Sequence, residues 1–122
     1  MTAKFCCGDA PVLIYACAGG SNVGQLSNEV AKYLTEQKAG EMTCTAALGA
    51  DLQGFILSAR SANENIIMDG CPVSCVRKTF ERLEIPDYKQ YILTEMGITK
   101  EHNFICKQQD IEKIANVIKK EL

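Results

Sequence analysis

The chain has no tryptophan, a single histidine and no surplus of basic residues, with 13 Lys and Arg set against 15 Asp and Glu for a net charge of −2. Nucleic-acid binding needs a basic face to neutralise phosphates, so no nucleic-acid partner is expected. The few aromatic residues are not interleaved with Arg and Lys, which argues against a base-stacking surface as well. Long apolar runs are also missing. Val12 to Ala18 is far short of the roughly 20 residues that span a bilayer, and it runs into glycines rather than a cleavage site. No membrane partner is therefore expected, and a cytoplasmic location is. There is no internal repeat, low-complexity tract or interdomain linker.

What is abundant is cysteine. Seven cysteines in 122 residues cannot all pair with one another. In a reducing compartment they are more often metal ligands or reactive thiols than disulfides. With 47% hydrophobic residues, the chain can bury a core as one domain without such staples.

Residues 1–11, with Cys6-Cys7-Gly8 and Pro11, read as an irregular N-terminal arm, and residues 12–122 read as a single domain. Val12 to Cys17 is an unbroken apolar run, as expected of a parallel strand covered on both faces. After Gly19-Gly20-Ser21, Asn22 with Gln25 resembles a capping box, and Val23, Leu26, Val30 and Leu34 follow at helical spacing up to a stop at Gly40. Met42 to Ala46 is a weaker strand. Asp51 is expected to cap a helix carrying Leu52, Phe55, Ile56 and Ala59. Asn65 to Asp69 is the third strand. Pro72 suits the first position of the next helix, whose apolar stripe is Val73, Val76, Phe80 and Leu83. Tyr88 to Leu93 reads as a fourth strand, and Asp110 opens a last helix containing Ile111, Ile114, Ala115 and Ile118. Strands alternating with helices imply a three-layer α/β domain, Rossmann-like or flavodoxin-like, with a mainly parallel sheet of about four strands and helices on both faces.

The cysteines follow the strand ends. Cys17 closes the first strand, Cys44 lies in or just after the second, and Cys71 follows the third, with Cys75 four residues on. In an open parallel sheet, ligands bind outside the carboxyl ends of the strands. If right-handed crossovers place the first strand between the second and third, these sulfurs converge. Cys71 is expected at a helix start, where partial positive charge favours the thiolate that binds metals and attacks electrophiles. Four sulfurs about one point suit a tetrahedral Zn²⁺ site, and a tetrathiolate site also accommodates iron. The bland alternative is that each is a small buried hydrophobe. The competing chemistry is a cysteine-dependent redox or thiol enzyme, with Cys71 as nucleophile and Cys75 as the resolving thiol.

Other features read more simply. Cys106 is expected in the core, His102 in a polar loop, and Cys6 and Cys7 in the arm, from which one could reach the site. The turn from Gly19 to Gln25 has the glycines of an anion cradle but no Lys-Ser/Thr ending. The separation of Cys71 from Arg77 is also that of cysteine-dependent phosphatases, although Pro72 and Val73 stand where a glycine-rich run is usual.

Four segments, Tyr15-Ala16-Cys17-Ala18-Gly19-Gly20-Ser21-Asn22-Val23-Gly24-Gln25, Met42-Thr43-Cys44, Asp69-Gly70-Cys71-Pro72-Val73-Ser74-Cys75 and Leu93-Thr94-Glu95-Met96-Gly97-Ile98, together resemble the DGC domain family. The family is named for its central Asp-Gly-Cys, and its members are taken to bind zinc. The resemblance implies a DGC-type α/β domain over residues 12–122 whose metal-binding cysteines are Cys17, Cys44, Cys71 and Cys75. It attaches no reaction to them. Arg77 stands where relatives often carry lysine.

Overall fold

The computed structural model describes residues 11–122, so the arm with Cys6 and Cys7 lies outside the described residues. Four strands, β1 (Val12–Ala16), β2 (Glu41–Met42), β3 (Glu64–Asp69) and β4 (Lys89–Ile92), form one sheet. Its order is β2-β1-β3-β4 and every pairing is parallel. The first strand thus lies between the second and third, the arrangement under which the strand-end cysteines are expected to converge.

Five α-helices cover the sheet: α1 (Asn22–Glu36), α2 (Thr45–Gly49), α3 (Gln53–Ser61), α4 (Cys75–Arg82) and α5 (Gln108–Lys120). A 3-10 turn, Leu93–Met96, follows β4 directly. The unbroken apolar run of β1 is explained by its two buried faces. Ile14 and Ala16, with Ile66 and Met68 of β3, pack against Val23, Val30 and Leu34 of α1 and Ile111, Ile114 and Ile118 of α5. Leu13, Tyr15 and Ile67 point the other way, onto Leu48, Ile56, Ala59, Val76 and Phe80 of α2, α3 and α4. The alternation is the period of two of a pleated strand, read on both sides. Phe80 stands edge-on to Tyr15 and Tyr88, at ring separations of 5.0 and 5.7 Å, a favoured aromatic geometry. None of the helices among the described residues is long and apolar enough to cross a membrane.

Several boundaries differ from the expectations above, each for a local reason. Ser21, not Asn22, caps α1, its hydroxyl accepting from the Gly24 N–H at 3.1 Å. Gln25 reaches instead to the carbonyls of Ala18 and Gly19. Helix α1 ends before Gly40, whose glycine serves packing: a Cβ there would lie 2.9 Å from Ile14 Cδ1 and 3.0 Å from Val12 O. The second strand is only Glu41–Met42, because Cys44 already caps α2. Asp51 adopts a left-handed conformation between α2 and α3 and pairs with Arg82 at 3.0 Å rather than capping α3, whose N-cap is Leu52. Helix α4 begins at Cys75, not Pro72, since Pro72 and Val73 form a turn and Ser74 is left-handed at φ 60°. Val73 is consequently exposed rather than part of the apolar stripe. The last helix starts at Gln108, with Asp110 in its first turn.

Candidate functional site

Two loops meet at the carboxyl ends of the central strands. The first runs from Cys17 to Ser21. Cys17 extends the β1–β3 pairing by one bond, its N–H donating to Met68 O at 3.0 Å. Ala18 is then left-handed at φ 51°, turning the chain into the glycines before α1. The second loop runs from Gly70 to Ser74. It is held by Asp69, which is 1% exposed and ends β3. The Asp69 carboxylate accepts from the Val76 N–H at 2.7 Å, the Arg77 N–H at 3.3 Å and Gln90 Nε2 at 3.0 Å. Since the N-cap Ser74 side chain makes no capping bond to the helix and accepts instead from Gln90 Nε2 at 3.1 Å, Asp69 satisfies the start of α4 from the end of β3. It orients the loop as a carboxylate at a helix N-terminus does.

The second loop touches the first turn of α1, and that turn touches the first loop, through backbone atoms. A Cβ at Gly70 would lie 2.7 Å from Gly24 N and 2.7 Å from Val23 C, and a Cβ at Gly24 would lie 2.5 Å from Gly19 O. Only glycine permits this approach. It brings the Gly70 N–H to 3.4 Å from Cys17 Sγ, a bond joining the two loops. On its other side Cys17 Sγ lies 3.6 Å from Ser27 Oγ, and that hydroxyl donates to Gly24 O at 2.6 Å.

Between the loops is a cavity of about 210 Å³ whose walls include Cys17, Cys71 and Cys75, the glycines Gly19, Gly20, Gly24 and Gly70, and Lys100. The structure thus brings together three of the four cysteines singled out by their positions at strand ends. Cys44 lies at the same edge of the sheet, since its neighbour Thr45 bonds the β1 carbonyl of Ala16 at 2.8 Å. Its side chain is exposed and does not line the cavity. Cys71 sits in the turn before α4, and it is Cys75, exposed, that takes the first helical position.

Lys100 is a site residue that sequence reasoning passed over. Its Nζ donates to Cys71 Sγ at 3.5 Å. No local motif marks it, because it arrives from a loop beyond β4. Arg77 does not line the cavity. Its Nε faces Glu81 at 3.7 Å, so the phosphatase-like pairing with Cys71 is not formed. Exposed His102 does not line it either. Cys106 is half-buried against the core, and burial pushes its thiol up, helped by the nearby Glu29 and Asp110 carboxylates.

The donor chemistry of the three cavity thiols, soft sulfur among small residues, suits zinc or iron. Their present spacing is open. Among the described residues no three His, Cys, Asp or Glu side chains close into a metal-holding group.

This chain belongs to the DGC domain family, whose profile matches residues 13–118. It is also similar to a protein of Pseudomonas aeruginosa named anaerobic and virulence modulator AnvM, with 37% identity over 102 residues, covering 84% of this chain and 78% of the relative. No solved structure matches it significantly.

Proposed function

We propose that the chain is a small regulatory protein that takes up a thiophilic metal ion, zinc first and iron as the alternative, at the carboxyl edge of its sheet. Cys17, Cys71 and Cys75 would be donors and Cys44 the fourth, turning in from solvent. The observation that carries this reading is the shared cavity, whose lining draws cysteines from two separate strand-to-helix connections. Bound to thiolates, such an ion would cross-link the two loops and release the protons the thiols had held. The regulatory character is carried over from the name of the Pseudomonas aeruginosa relative, and it goes no further than that name. A cytoplasmic setting belongs to the same proposal.

Metal content of protein prepared anaerobically with zinc tests the reading. About one equivalent per chain is expected, lost in both Cys71→Ser and Cys75→Ser. Less than roughly half an equivalent in the wild type would refute it.

A second reading is favoured by the exposure of Cys75 beside Cys71 in the same cavity. In it the Cys71 thiolate attacks a peroxide, releasing hydroxide and becoming a sulfenic acid. The Cys75 thiol then condenses with it to a disulfide and water. Mass spectrometry of metal-free protein after one equivalent of peroxide separates the readings: a Cys71–Cys75 disulfide supports the second, and unchanged thiols refute it.

A further inference from the structure

The loop between the 3-10 turn and α5 carries a positive charge into the thiol cavity, and its placement is built in. Asn22, buried at the start of α1, donates through Nδ2 to Thr99 O at 2.8 Å and accepts through Oδ1 from the Glu101 N–H at 2.6 Å. Its own N–H donates to Glu101 O at 3.4 Å. The backbone is therefore pinned on both sides of Lys100, whose side chain lies along the cavity wall with Nζ at 3.5 Å from Cys71 Sγ. A buried carboxamide thus fixes the backbone of an exposed loop, and exposed Lys100 rests with its ammonium beside one sulfur.

We propose that Lys100 is the resident counter-cation of the cavity, and that a metal ion enters only by displacing it. This rests on the metal-binding reading above. A zinc–sulfur bond of about 2.3 Å would put a divalent ion on the same sulfur the ammonium already contacts. Two cations sharing one sulfur repel each other, which favours Lys100 swinging outward on loading. Lys100 thereby sets how much free metal is needed to fill the site, and Asn22 is the positioning residue that holds it there. The device makes the site a threshold detector rather than a permanent staple.

Zinc affinity of the reduced full-length chain, measured by competition with a chromogenic chelator, tests the proposal. Wild type and variants are compared at one fixed pH of about 9, above the ordinary free-thiol value of about 8.5, which lessens competition from protons for the sulfurs. Lys100→Met is expected to bind zinc about fivefold more tightly or better, and Asn22→Ala, which frees the loop, to tighten it by less. Lys120→Met, at the far end of α5, removes the same charge and is expected to change nothing.

A second measurement needs no affinity. Acetylation of Lys100 by an N-hydroxysuccinimide ester, followed by mass spectrometry, should rise when zinc is added. In Cys71→Ser it should be high without zinc. Wild type that binds zinc, with no tightening in Lys100→Met or no change in Lys100 acetylation, overturns the proposal and leaves the metal reading intact. Failure of both wild type and Lys100→Met to bind zinc overturns the two together.

Discussion

Replacing Gly70 by alanine should unsettle the site through its backbone. The added methyl would lie 2.7 Å from Gly24 N, 2.7 Å from Val23 C and 2.9 Å from Val23 O. Ordinary contacts between such atoms are about 3.5–4.0 Å, so the start of α1 and the end of β3 must separate by close to an ångström. All three obstacles are backbone, so no side chain can rotate away. Overpacking of this kind costs about 1–3 kcal/mol, and a backbone-only clash belongs at the upper end. For a domain of this size about 3 kcal/mol lowers the melting temperature by roughly 10 °C. Gly54→Ala is the control, because a Cβ there meets nothing within 4 Å and the position is helical. It should stabilise by about 0.5–1 kcal/mol. Thermal unfolding followed by circular dichroism reads both. A Gly70→Ala protein melting within about 2 °C of the wild type would refute the claim that close backbone contact between Gly70 and the first turn of α1 holds the site together.

Other outcomes follow from the same coordinates. Asp69→Ala strips the start of α4 of its acceptor and leaves the buried Val76 N–H unpaired, which should cost roughly 3 kcal/mol in urea denaturation. Asp69→Asn, keeping one acceptor oxygen, should lose about half as much. Tyr15 is held in its neutral form by burial, and Tyr91 by burial and by its hydrogen bond to Glu121, so both ionise above the usual value of 10.0 in the folded chain. Their contribution to stability is complete below that pH and falls away as the pH climbs beyond it. Absorbance titration should therefore show two of the four tyrosines ionising only as the protein unfolds, and all four titrating together near pH 10 would contradict this.

Strand identity was legible in the sequence because β1 and β3 are buried on both faces, leaving runs such as Val12-Leu13-Ile14-Tyr15-Ala16 without polar interruption. The order of the central strands was legible only as a condition, right-handed crossovers with helices on both faces, and the meeting of Cys17 with Cys71 and Cys75 hung on it. Helix starts were less legible, because several are decided by partners distant in the chain. Pro72 looked like a first helical residue, yet a left-handed Ser74 and a cap supplied by Asp69 moved the start of α4 to Cys75. Cys44 shares the sheet edge, but the early start of α2 turns its side chain to solvent. Lys100 carried no signal at all, since its place depends on Asn22 reaching across to Thr99 and Glu101.

The wall of the cavity is drawn from residues 17, 71, 75 and 100, with α5 packed behind α1. A ribosome making this protein must therefore release most of the chain before the sulfurs can share a pocket. Until then each thiol is on its own, open to stray oxidants and to any metal scavenger in the cell. The cavity is therefore complete only once nearly the whole domain has folded.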